Sequence, residues 1–442
     1  MILPAGGLTT YASDCDNRYR PDGNFRYLTG FPEPGAVLVL RPDAAYPATM
    51  FVPARDPQQE VWTGRRHGPE GATRVHGVDA AFPLELMAEK LPALLDGCEA
   101  LYYSPWRDAE LDALLSRTLK TLRQRERFGR RAPHTIIEPG ELLSELRLVK
   151  TAEEIALLQR ACAISAEGHR AAMRVARPGV GEWQIQAEIE RVFRQHGAAG
   201  PGYGTIVGSG ANGCILHYVE NDAAITDGQL VLVDAGAEYG GYNGDITRTF
   251  PVSGKFTPAQ RSLYEIVSDA LEQGLAAAKP GATIDAIHAL TLKRLSQGLI
   301  DLGILQSSLD ETLERELYLP YYMHRTSHWL GIDVHDAGRY RQQGVSRPLE
   351  AGMVLTIEPG LYLQPGDQTV PVELRGQAVR LEDNVVITPD GAFNLTSGST
   401  LEERRRMPGT IELQARLRTA GRNIPSTPAF NSRASGEGHA ET

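Results

Sequence analysis

Two aspartates bracket a tight turn in Leu230-Val-Leu-Val-Asp234-Ala-Gly-Ala-Glu-Tyr239-Gly240-Gly-Tyr-Asn-Gly-Asp245-Ile-Thr-Arg-Thr-Phe250, and no other segment limits the fold so tightly. With Tyr239 and Gly240 at the corner of an antiparallel hairpin, Glu238 faces Gly241, and the same register brings Asp234 opposite Asp245. The run before Asp234 is continuously apolar, as in a strand buried on both faces. Two carboxylates beside such a core are very costly unless something compensates them. The expected partner is a pair of divalent cations; the alternative is that the carboxylates cap turns or pair with Arg248.

With 442 residues, 42% of them hydrophobic, the chain can build two domains with substantial cores and needs no staples. A formal net charge of -10 without a compensating basic face argues against a nucleic-acid partner, and the Arg404 to Arg406 run reads as a solvated helix face. Cys15, Cys98, Cys162 and Cys214 are widely spaced, with no CxxC and no Cys-His cluster. That pattern points to reduced thiols, away from a disulfide framework or a zinc-thiolate site. The start, Met1-Ile-Leu-Pro-Ala-Gly-Gly, has no basic n-region, and no stretch approaches the roughly 18 apolar residues of a membrane span. A cytoplasmic protein is expected.

From Tyr27 to Arg147, strand-like runs (Ala36 to Leu40, Thr49 to Val52, Ala100 to Tyr103) alternate with helical stretches (Leu84 to Leu95, Ala109 to Arg125), which predicts an α/β domain over residues 1–148. Thr151-Ala-Glu-Glu154 is a capping box, and Ile155, Leu158, Ala161, Cys162 and Ile164 follow with helical spacing, so a long helix opens a second domain over 149–407. Further helices are expected at Glu182 to His196, Pro258 to Lys279 and Ile284 to Leu302, and strands at Gly204 to Gly208, Met353 to Ile357, Ala378 to Leu381 and Asn384 to Ile387. This domain reads as α+β. Residues 408–442 are polar and read as a mobile tail.

Three more segments offer ligands. His328 lies in Ser327-His-Trp-Leu-Gly-Ile-Asp-Val-His335-Asp336, while Glu358 and Glu382 each end an apolar run, as Asp234 does. With the two aspartates they make four carboxylates and one imidazole, whose charge of about -4 matches two divalent ions, Mn²⁺ by preference with Co²⁺ or Zn²⁺ as alternatives. Two such ions share and acidify a water, so a bridging hydroxide is the expected nucleophile. His217 and His335 are candidates for stabilising an oxyanion or holding substrate, or are satisfied core histidines. His324, four residues before His328, could share a helical face with it as a further ligand or support it from behind.

Gly208-Ser-Gly210-Ala-Asn-Gly213 satisfies GxGxxG, but the Cys214 to Val219 segment after it reads as a strand, so the phosphate-binding helix terminus is missing. No GxSxG elbow is present.

The series His217, Asp234, Asp245, His328, His335, Glu358, Arg380 and Glu382, in the contexts Asp-Ala-Gly, Gly-Asp-Ile-Thr-Arg-Thr-Phe, Ser-His-Trp-Leu-Gly, Ile-Glu-Pro-Gly and Arg-Leu-Glu-Asp, strongly resembles bacterial aminopeptidase P. The likeness includes Tyr27-Leu-Thr-Gly-Phe31 and Pro34, and leaves out about the last 30 residues. It implies a creatinase-like amino-terminal domain and a pita-bread metallopeptidase domain whose halves are related by a pseudo-twofold. It implies, too, a homo-oligomer (dimer or tetramer) and a dinuclear, usually manganese, site that removes the residue ahead of a proline. Carried over, Asp234, Asp245, His328, Glu358 and Glu382 are metal ligands. His217, His335 and Arg380 line the substrate site, and Glu358 also shuttles a proton. Arg325 and Thr326 depart from the family pattern, which often has Gly after the first histidine of His-x-x-Ser-His, and the chain starts at the first strand, without the usual arginine-rich helix. Prolidase, which shares the five ligands but cuts Xaa-Pro dipeptides, is the nearest alternative. Methionine aminopeptidase usually lacks so large an amino-terminal domain, and creatinase or an inactive binding module would have lost ligands.

Overall fold

In the amino-terminal part, strands β1 (Ile2–Pro4), β2 (Val37–Leu40), β3 (Ala48–Val52) and β4 (Ala80–Pro83) form one mixed sheet in that order, antiparallel except for the β3–β4 pair. Helices α1 (Met87–Leu95) and α2 (Ala109–Gln124) bury Leu91, Leu95, Leu111 and Leu115 in a core with Phe51 and Val39. The computed structural model describes residues 1–396 and divides between Gly140 and Glu141, one helix earlier than the expected 148/149 boundary. That helix, Gly140–Leu148, belongs with the second domain because Arg147 is buried against Asp333 and Asp336 and Leu148 joins that domain's core. The 397–407 stretch and the expected tail, 408–442, lie outside the described residues.

The second domain repeats one plan twice. Helices α3 (Ala152–Val175) and α4 (Glu182–Gln195) precede an antiparallel sheet of β5 (Ile206–Ser209), β6 (Leu230–Asp234) and β9 (Thr247–Pro251). The expected capping box opens α3, with Thr151 Oγ1 accepting from Glu154 N (3.3 Å) and Glu154 Oε2 from Thr151 N (2.8 Å). Helices α5 (Pro258–Ala277) and α6 (Ile284–Asp301) then precede β10 (Val354–Ile357), β13 (Asp383–Thr388) and β14 (Gly391–Asn394), also antiparallel. Between β10 and β13 lies a second hairpin, β11 (Gly360–Leu363) with β12 (Gln377–Arg380). An antiparallel bridge, Thr247 to Glu382, ties the two halves together.

Two expectations need correction. Strands β7 (Ala237–Tyr239) and β8 (Tyr242–Asn243) pair Tyr239 with Tyr242, so the corner is Gly240-Gly241. Both glycines have positive φ (59° and 89°), the left-handed backbone of a two-residue hairpin turn, which Tyr239 would resist. Asp234 consequently pairs with Thr247, two places from the expected partner. The Cys214 to Val219 segment is not a strand either: a short 3₁₀ turn, Gly210–Cys214, leads into irregular chain. A side chain takes the place of a partner strand there. The buried Glu182 carboxylate accepts from Ser209 N (2.7 Å), Ser209 Oγ (2.7 Å), Asn212 Nδ2 (3.2 Å), Tyr218 OH (2.8 Å) and Ala223 N (3.0 Å).

Candidate metal centre

Asp234 ends β6, and Asp245 precedes β9 on the neighbouring segment. The Asp245 backbone is held by Asn384, whose Oδ1 accepts from Asp245 N at 2.9 Å and whose Nδ2 donates to Asp245 O at 2.5 Å. Glu382, immediately before β13, is 2% exposed, and its Oε2 accepts from Thr247 Oγ1 at 2.7 Å. Glu358 follows β10. His328 lies beside β10, since Trp329 bridges to Leu355 and Thr356 N donates to His328 O at 3.0 Å.

Ligand atoms of Asp245, His328 and Glu382 lie within 4.8 Å of one another. His328 Nε2 is 3.4 Å from Asp245 Oδ2 and 3.6 Å from Glu358 Oε1. Its Nδ1 is 3.0 Å from Trp329 O, a contact that fixes a proton on Nδ1 and turns Nε2 toward the carboxylates, where it would ligate once a metal displaces its own proton. Asp234 connects through Tyr203, whose hydroxyl is 2.5 Å from Asp234 Oδ1 and 2.6 Å from Asp245 Oδ1.

All eight residues singled out in the sequence, His217, Asp234, Asp245, His328, His335, Glu358, Arg380 and Glu382, line one cavity of about 920 Å³. Arg380 is buried. It donates to Asp234 Oδ2 (2.7 Å), Tyr362 OH (3.0 Å) and Thr247 Oγ1 (3.2 Å). The alternative ion pair with Arg248 does not form, because that guanidinium takes Asp383 at 2.6 Å instead. His324 is not on a helix with His328: its Nε2 faces Tyr362 OH (2.8 Å), its Nδ1 faces the Arg325 carbonyl (2.9 Å), and burial followed by Arg380 lowers its pKa to about 4. It lines the cavity itself, with Nδ1 also 3.6 Å from Glu358 Oε2.

The electrostatics of this cluster fit cations. Burial pushes Glu358 up to about 7, against the pull of His328 and with Asp245 adding to the rise. Glu382 is raised well above the ordinary carboxylate range by burial, Asp245, Glu358 and Asp234, in that order. Burial opposes a charge on His328, but its hydrogen bond to Asp245 and the nearby Glu358 prevail and lift it to about 9. Four carboxylates are thus gathered around one buried guanidinium, and they repel one another in the way that multivalent cations relieve. Asp234, Asp245, His328, Glu358 and Glu382 would hold them, with oxygen donors in excess. His335, its ring centroid 4.3 Å from that of His328, is lowered by burial and by His328.

Tyr203, Thr247, Asn384 and Glu182 escaped the sequence reading. Tyr203 stands in Pro201-Gly-Tyr-Gly204, where an aromatic between glycines could have marked a backbone arranged to aim a side chain inward.

A doubled helix-helix-sheet plan closing on such a cluster defines a metallopeptidase of the pita-bread class. Residues 156–389 match Metallopeptidase family M24, and residues 1–102 match Aminopeptidase P, N-terminal domain. The Xaa-Pro aminopeptidase of Escherichia coli (strain K12) is 46% identical, with 90% of each chain covered. Xaa-Pro aminopeptidase 3 of Homo sapiens is 35% identical over 90% of this chain and 78% of its own. The solved structure of Pseudomonas aeruginosa aminopeptidase PepP matches with a TM-score of 0.88 at 42% identity, covering 95% of this chain and 94% of that one. An E. coli aminopeptidase P variant in complex with substrate matches at 0.87, with 42% identity and 95% and 94% coverage. The chain belongs to the aminopeptidase P family of M24 metallopeptidases.

Proposed function

We propose that the chain removes the first residue of peptides whose second residue is proline, using Asp234, Asp245, His328, Glu358 and Glu382 to hold two divalent ions. The observation that carries this reading is the convergence of those five residues with His217, His335 and Arg380 on one cavity, in a chain 46% identical to an Xaa-Pro aminopeptidase. Manganese is the proposed metal on the strength of the oxygen-rich donor set. The four cysteines are free thiols, which fits a reducing, cytoplasmic setting.

When bound, the metal pair supplies Lewis acidity and a water acidified to near neutrality. The protein's own groups do the rest. His217 and His335 are assigned to the scissile carbonyl, where an N–H donor stabilises the oxyanion as water adds to the carbon. Glu358 takes the proton from the attacking water and passes it to the departing proline nitrogen as the C–N bond breaks. Arg380, held by Asp234, Tyr362 and Thr247, keeps Asp234 oriented and faces the substrate side.

Because an Xaa-Pro bond is a tertiary amide with no N–H, recognition rests on ring shape, the free amino terminus and groups beyond the ring. Xaa-Pro-Yaa tripeptides are expected to show higher kcat/KM than Xaa-Pro dipeptides, with alanine-second peptides poor. Rapid dipeptide turnover without cleavage of a pentapeptide bearing proline second would assign the chain to prolidase chemistry instead.

A further inference from the structure

Positions 325 and 326, between His324 and the Ser327-His328 pair, have opposite fates in the structure. Thr326 is fully buried, its Oγ1 2.7 Å from both Thr291 Oγ1 and Tyr322 OH and 2.9 Å from His288 Nδ1. It pins the loop from behind. Arg325 is more than half exposed, lines the same cavity as the metal cluster, and reaches one oxygen of Asp285 in the first turn of α6. Arg341 lines that cavity too, from the short hairpin Arg341–Gln342 with Val345–Ser346, and holds the other Asp285 oxygen at 2.5 Å.

One carboxylate therefore stands between two guanidiniums, each with five N–H donors in a planar fork. The other acids among the described residues lining the cavity, Asp234, Asp245, Glu358 and Glu382, belong to the metal cluster. A positive charge is left over at a solvent-exposed edge. Every short peptide carries an ammonium at its start and a carboxylate at its end, so a cavity with acids at the reacting centre and spare guanidiniums at its edge suits one direction of entry. A volume of about 920 Å³ is in the range of sites that enclose ligands of this size.

We propose that Arg325 and Arg341 form an anion subsite that takes a carboxylate presented downstream of the proline, either the C-terminus of a tripeptide or an acidic side chain at the third position. This inference rests on the Xaa-Pro reading above and deepens it. Asp285 ties the two forks together and Arg341 Nη1 also donates to Gly344 O at 3.1 Å, which leaves the other N–H groups of both forks for the ligand.

The test compares Xaa-Pro-Ala with its C-terminal amide, and Xaa-Pro-Asp-amide with Xaa-Pro-Asn-amide, on the metal-loaded parent, Arg325→Gln, Arg341→Gln and the double variant. In the parent, at least one charged peptide should exceed its neutral partner in kcat/KM by about tenfold, the size of one net charged hydrogen bond, mainly through KM. Which pair shows the preference tells the C-terminus from the side chain. The ratio should fall in each single variant and approach one in the double variant. Should the variants not fold, raising ionic strength must erode the parent's ratio in their place. Equal rates for both pairs in the parent, or a preference that survives in the double variant or in high salt, would reduce the two arginines to a surface ion-pair network. Failure to cut any Xaa-Pro peptide would overturn the activity itself, and this inference with it.

Discussion

Arg380 shows how one residue can serve a site by limiting it. Its guanidinium neutralises Asp234 and is itself fixed by Tyr362 and Thr247, so a single negative charge is withdrawn from a set of four. Without metal the remainder is offset by protons held on His328, Glu358 and Glu382, which divalent cations would displace. Removing a carboxylate, in Asp245→Ala or Glu382→Ala, should abolish nearly all activity and lower the metal content measured by mass spectrometry. His217→Ala and His335→Ala should keep the metals and lose roughly 10²–10³ in kcat, as for a lost oxyanion donor. A metal-free His335→Ala protein would show that a ligand had been mistaken for a substrate group. That these acids gather in one cavity was legible because acids ending apolar strands have few bland explanations. Tyr203 was not, since a lone tyrosine carries no signature of what its hydroxyl meets.

Strands and turns explain why a wrong register left the site reading intact. The hairpin corner lies at Gly240-Gly241, and the β6–β9 ladder is displaced by two residues from the expected pairing. Side chains alternate with a period of two, so a two-residue slip returns each one to the same face, whereas a one-residue slip would have turned Asp245 away. The Cys214 to Val219 segment was misread because its apolar alternation mimics a strand, while the bonds that shape it come from Glu182, far off in sequence. Gly236 is where the two aspartate segments come closest: a Cβ there would lie 1.7 Å from Gly244 O. Gly236→Ala should therefore push the segments apart, costing about 1–3 kcal/mol as for overpacking and lowering metal content along with the melting temperature. A variant with the parent's Tm and full metal would show that this approach is not needed.

At the scale of the whole molecule, the doubled helix-helix-sheet order was visible in the sequence, but the connection between its halves was not, because bridges such as Thr247 to Glu382 join distant residues without a local pattern. The same compactness makes stability depend on pH. His169 on α3 is buried with Nε2 3.0 Å from Ala235 O, and burial lowers its pKa to about 4. Below an unfolded value near 6.5, the unfolded chain binds a proton that the folded one refuses until about pH 4, so stability is intact above that window and falls through it, by roughly 3 kcal/mol. Glu358 and Glu382, raised by burial, act in the opposite sense over the same window, so the readout is a difference: between pH 7.5 and 4.5 the Tm of His169→Gln should shift toward greater stability relative to the parent. The same pH dependence in parent and His169→Gln would remove His169 from the account.

The Thr247 to Glu382 contact spans 135 residues, and the last carboxylate of the cluster stands at its far end, after His328 and Glu358 have entered within the interval. A ribosome adding about 5–20 residues per second needs on the order of 10 s to cross that interval. At its start the chain carries only Asp234 and Asp245 of the cluster; His328 and Glu358 join during it, and Glu382 only at its end. The centre can therefore close only once the whole stretch from Asp234 to Glu382 has been made, so metal capture is a late event in the folding of this domain.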